Sequence, residues 1–110
     1  MKIYKEFHGD ILINQIGKRL RDIVKIEKNN FKILTGYGSS CGISLSKKMV
    51  IKSLTKMKNE GLIKGFLPGE IKFSIVTNSS YYYEDKIKYY ELIKNDSDYG
   101  NDGIIFVFIK

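Results

Sequence analysis

The sequence predicts a small α/β domain, a two-layer sandwich in which two main helices pack on a mixed sheet of about four strands, ordered β-α-β-α-β-β. Three observations carry this. Short apolar runs at Ile3 to Phe7, Phe31 to Leu34, Ile63 to Leu67 and Ile104 to Ile109 alternate with longer segments of helical periodicity. Alternation of that kind places the strands in one sheet and the helices against it. A chain of 110 residues, 43% of them hydrophobic, is one domain's length and holds enough apolar side chains for one core.

Each element has local support. Ile3 to Phe7 reads as the first strand, ending at His8-Gly9, and Asp10 offers a carboxylate to cap the helix that follows. In that helix Ile13, Ile16, Leu20, Ile23 and Val24 make one apolar stripe, while Lys18, Arg21, Asp22 and Lys25 fall largely away from it. Asn29-Asn30 ends it, and Phe31 to Leu34 is the second strand. After the glycine-containing stretch from Thr35 to Gly42, Ser44 or Ser46 caps a second helix running to about Glu60. Val50, Leu54 and Met57 mark its buried side, with Leu45 and Ile51 on the flanks. Gly61 fits the left-handed position that ends many helices, and Leu62 can fold back on the last turn. Ile63 to Leu67 is a short strand stopped by Pro68-Gly69. Ile71 to Val76 looks like a further strand, Glu84 to Lys94 like a short helix, and Asn95 to Gly103 is turn-rich. Ile104 to Ile109 is apolar throughout, which suits a central strand. No repeat or linker divides the chain, so residues 1–110 read as one domain.

The charge is uneven. The formal net charge is +7, and a basic surface attracts polyanions. Abundant Lys, Ile, Asn and Tyr also arise from an AT-rich genome, but that bias would spread lysine evenly. Here residues 1–72 carry 15 basic and 6 acidic residues, whereas residues 73–110 carry 4 and 6. From Lys28 to Lys58 there is no acidic residue. Nucleic acid is therefore the expected partner. No apolar run reaches the roughly 18–20 residues of a membrane span, so no membrane partner is expected. Met1 to Glu6 has no signal-peptide character. The single cysteine, Cys41, excludes an internal disulfide and zinc sites built on paired cysteines, and a cytoplasmic location is the default.

Three stretches resemble the Smr domain, the small domain found alone and at the end of some MutS-like proteins. They are Glu6-Phe7-His8-Gly9 after the first strand, Ile33-Leu34-Thr35-Gly36-Tyr37-Gly38-Ser39 after the second, and Gly100-Asn101-Asp102-Gly103 before the last. The resemblance covers roughly residues 3–69 and 100–110. Glu6 stands where the family has Asp, Asp10 is a one-residue insertion, and residues 70–99 are an insertion before the final strand. The resemblance implies a fold like the C-terminal domain of translation initiation factor three. It also implies an endonuclease, a phosphodiester hydrolase acting on DNA or RNA, in some members on ribosomes.

The candidate site follows. His8, the only histidine, can move protons near neutral pH, and Glu6 two residues earlier shares its face on a strand. Such a pair can activate water or a ribose hydroxyl, or protonate a leaving oxygen. The alternative is that His8 caps a turn and Glu6 is solvated. Thr35, Gly36, Tyr37, Gly38 and Ser39 form the second candidate, since glycines let backbone amides approach a phosphate, and Tyr37 can stack on a base. Without a lysine after Gly38 this is not a Walker loop. Lys48, Lys52 and Lys56 repeat every four residues as a basic ridge that Lys47 and Lys58 widen. Cys41 reads as a bystander. No His, Cys and carboxylate spacing marks a metal site, so no cofactor is evident, and a divalent ion on carboxylates stays open. Tyr81-Tyr82-Tyr83 and Tyr89-Tyr90 either pack the inserted segment or serve a protein partner. Three readings result: an Smr-like nuclease, a non-catalytic nucleic-acid- or ribosome-binding module, and a protein-interaction domain using residues 70–99.

Overall fold

The computed structural model describes residues 1–36, 44–74 and 77–110. Four strands, β1 (Lys2–Tyr4), β2 (Phe31–Leu34), β3 (Gly65–Pro68) and β4 (Ile104–Phe108), form one sheet in the order β1-β2-β4-β3. β1 runs parallel to β2, with Tyr4 opposite Ile33, and β4 is antiparallel to both its neighbours. A parallel pair needs a crossover, which α1 (Ile16–Ile26) supplies. α2 (Leu45–Asn59) joins β2 to β3, and α3 (Tyr83–Ile93) precedes β4. The chain thus has the α/β order and mixed four-stranded sheet that its periodicity predicts.

The central strand explains the layering. All five residues of β4 are buried, and they alternate between two apolar clusters. Ile105 and Val107 face Ile16, Leu20 and Ile23 of α1 and Val50, Leu54 and Met57 of α2. Ile104, Phe106 and Phe108 face Ile71, Tyr99, and Tyr89 and Ile93 of α3. The expected sandwich of sheet and two helices is present, and the 70–99 segment adds a third layer on the other face. Tyr89 lies flat on Phe108, ring centroids 4.0 Å apart, so this tyrosine packs the insertion onto the sheet. Asp85 ties α3 down further, accepting from the Phe66 amide (3.2 Å) and the Lys58 ammonium (3.0 Å).

Local chemistry sets most boundaries. Ser44 caps α2, its Oγ accepting from the Lys47 amide at 3.1 Å. Gly61 has φ +79°, and the Leu62 amide donates back to the Met57 carbonyl, the C-terminal closure expected from sequence. Three expectations fail. β1 ends at Tyr4, because the chain turns at once: the His8 amide donates to the Lys5 carbonyl and the Asp10 amide to the Glu6 carbonyl. That turn drops Phe7 into the core beside Tyr4. Asp10 caps nothing. α1 starts at Ile16 after a 3-10 turn at Ile13–Gln15, its N-cap is Gln15, and Ile13 is 38% exposed. Ile71 is not in a strand either. Gly69–Phe73 is a 3-10 helix that buries Ile71 and leaves Phe73 exposed.

Candidate nucleic-acid interface

The turn after β1 and the Thr35-Gly36 step after β2 lie at the same end of the sheet, since the two strands are parallel and adjacent. The expected catalytic pair is altered there. Glu6 and His8 sit in a turn, so the two-residue spacing no longer puts them on one strand face. The Glu6 carboxylate is taken by Arg19, whose Nε lies 3.2 Å and Nη2 3.1 Å from Oε1. His8 is exposed.

The start of the glycine stretch is engaged in the fold. Thr35 is fully buried; its amide donates to the Gly103 carbonyl at 2.7 Å and its hydroxyl points at the carbonyls of Gly103 and Gly36. The Gly36 amide donates to Ser46 Oγ at 3.3 Å, and its carbonyl accepts from Ser44 Oγ at 3.1 Å. These contacts fasten the end of β2 to the first turn of α2, and they use the Gly36 amide that a phosphate would need. Tyr37, Gly38, Ser39 and Cys41 lie outside the described residues.

The basic ridge divides into two kinds of lysine. Lys47 is buried, its side chain 1% exposed, with Nζ 2.6 Å from Glu70 Oε1 and 2.7 Å from the Asp102 carbonyl. Its place is a joint between α2 and the turns flanking the insertion, not the ridge, because its position on the helix faces inward. Lys58 is likewise held by Asp85. Lys48, Lys52 and Lys56 are exposed and make no ion pair among the described residues.

Two of these lysines face α1. A groove of about 510 Å³ between the helices is lined by Gly17, Lys18 and Arg21 from α1 and by Met49, Lys52, Ser53 and Lys56 from α2. Four side chains of this lining are cationic and none is acidic. A Cβ at Gly17 would meet Ser53 Oγ at 3.4 Å, an ordinary van der Waals contact, so the two helices lie close here. Lys18 makes no ion pair among the described residues. It also lines a smaller recess with Glu6 and Arg19, so the groove runs toward the turn after β1. Arg21 donates to Glu60, which caps the far end of α2 (Nη2 to Oε1, 2.5 Å). That hydrogen bond, with the Lys56 charge behind it, holds the Glu60 carboxyl below its usual range. Sequence spacing along α2 finds Lys52 and Lys56 but not Lys18, Arg21 and Ser53.

Among the described residues no three His, Cys, Asp or Glu side chains group as metal ligands, and no helix is long and apolar enough to cross a membrane. Compared with protein-family models, curated proteins and solved structures, the chain matches none.

Proposed function

We propose that this chain is a nucleic-acid-binding domain that grips the phosphate backbone in the groove between α1 and α2. The observation that carries this is the sorting of its cations. Lys32, Lys47, Lys58 and Arg21 are used in internal pairs, whereas Lys18, Lys52 and Lys56 make no ion pair among the described residues and converge, beside Arg21, on a concave lining that includes no acidic residue. Cations gathered in a cleft raise the local concentration of a polyanion, and lysine–phosphate contacts supply sequence-independent affinity. Ser53 adds a hydroxyl to the lining, and Lys48 extends the row along α2. The resemblance of the Glu6 to Gly9 and Ile33 to Ser39 stretches to the Smr domain supports the same reading.

The proposal is of binding. Cleavage by a Glu6–His8 pair draws no support from the geometry, because Arg19 holds the carboxylate and the turn removes the shared strand face. Amide chemical shifts followed during titration with a short DNA duplex, and separately an RNA duplex, test the proposal. Gly17, Lys18, Arg21, Lys52 and Ser53 should shift together. Shifts confined to α3 and the Tyr81–Tyr90 surface would favour a protein-interaction domain instead.

A further inference from the structure

Arg21 differs from the lysines beside it. It is the one arginine in the groove lining, and its guanidinium is turned onto Glu60, with Nη2 2.5 Å from Oε1 and Nη1 3.4 Å from Oε2. A guanidinium fork fits a carboxylate and a phosphate by the same paired N–H donors. Glu60 therefore uses the same N–H donors of Arg21 that would pair with phosphate oxygens. Helix dipole energetics do not explain it, because a carboxylate at a helix C-terminus is unfavourable. Its backbone is fixed by the hydrogen bond its amide donates to the Lys56 carbonyl and by the turn at Gly61. Both partners are well exposed, at 34% and 41%, so the pair is weak and readily exchanged.

We propose that Glu60 is a built-in competitor for nucleic-acid phosphate, holding Arg21 in the empty groove and releasing it to a phosphate when the groove fills. This rests on the nucleic-acid reading above. The exchange trades one ion pair for another, so Glu60 lowers affinity for every anion, and a lone ion gains less than a backbone that also engages Lys18, Lys52 and Lys56. The device thus favours a polyanion spanning the groove.

A double-mutant cycle tests it. Parent, Arg21→Gln, Glu60→Gln and the double variant are titrated with one labelled mixed-sequence DNA duplex and one RNA duplex, at fixed low salt. Because the pair is exposed, all four proteins should melt alike, which is checked first. The expected result is that Glu60→Gln tightens binding about three- to fivefold more when Arg21 is present than when it is glutamine. An equal gain in both backgrounds would mean that Glu60 acts only through its charge, which overturns the competitor and leaves the binding reading standing. Failure of all four proteins, Glu60→Gln included, to bind either duplex overturns the binding reading and the competitor with it.

Discussion

Replacing Lys47 by methionine separates structural from functional lysines most sharply. Sequence spacing puts Lys47 with Lys48, Lys52 and Lys56, whereas the fold buries it against Glu70 and the Asp102 carbonyl. Methionine keeps the apolar stem but loses both bonds. Glu70 is 43% exposed and can rehydrate, so little energy is lost on that side. The Asp102 carbonyl loses a charged donor, and a stranded partner costs about 1–3 kcal/mol. The expected loss is about 2 kcal/mol. At roughly 2.1 cal/mol/K of unfolding entropy per residue, each kcal/mol moves the midpoint of a chain this long by about 4 °C, so Tm should fall by about 8 °C. Calorimetry measures this, and binding to a duplex is followed in parallel across salt. The slope of log affinity against log salt should not change, since no phosphate contact is lost. A Tm shift below about 2 °C, or a slope reduced by about 0.9, the value of one phosphate contact, would refute the reasoning.

Other consequences follow from buried polar groups and close contacts. Lys32 lies 2.9 Å from Asp96 and 2.7 Å from Asp98, its side chain 11% exposed. Burial alone would lower the Lys32 ammonium and raise the Asp96 carboxyl; the hydrogen bonds among Lys32, Asp96 and Asp98 outweigh it, raising the first and depressing the second. Lys32→Met should cost about 3 kcal/mol at neutral pH. By linkage the cluster's contribution is full between the ordinary values of 3.8 and 10.5, fading as pH drops through the depressed Asp96 value or climbs through the raised Lys32 value. The gap between parent and variant in urea melts should therefore narrow in acid, and a constant gap would contradict this. The Tyr89 hydroxyl is buried without a hydrogen-bond partner among the described residues. Tyr89→Phe should keep the stack on Phe108 and stabilise by about 1 kcal/mol. A loss of stability would show that the hydroxyl has a partner. A Cβ at Gly69 would fall inside the Asn101 carbonyl oxygen and lie 3.0 Å from that of Asp98, both backbone atoms. Gly69→Ala should cost about 3 kcal/mol, and a variant with parental Tm would contradict that packing.

Sequence made the elements with strong local signals legible. The stripe at Ile16, Leu20 and Ile23, the Ser44 cap, the Gly61 closure and the fully apolar β4 each follow from spacing or single-residue chemistry, and these define the sheet and its two main helices. The first turn is not legible because Ile3 to Phe7 reads as one short strand, whereas the chain turns after Tyr4. Tyr4 and Phe7, three apart and both buried, belong to a chain that has turned. Ile71 to Phe73 differs for a related reason: residues that suit a strand also suit one 3-10 turn when Ile71 is buried and Phe73 is exposed, and Ile75 and Val76 lie outside the described residues. The fate of the lysines was hidden altogether. Lys47 meets Glu70, and Lys32 meets Asp96, across separations that no helical or strand period encodes. The groove is hidden in the same way, since its lining joins Lys18 and Arg21 of α1 to Lys52 and Lys56 of α2, which only the fold brings together.

The central claim is that Lys18, Lys52 and Lys56 neutralise phosphates in the α1/α2 groove. Its most direct test is the salt dependence of duplex binding for the parent and for a variant with all three changed to glutamine. Each lost phosphate contact removes about 0.9 from the slope of log affinity against log salt, so the variant's slope should be shallower by about 2.7. Since these side chains make no internal ion pair among the described residues, the melting temperature should stay near the parent's. A parental slope in the variant, or a parent that binds no duplex at the lowest salt, would contradict the account.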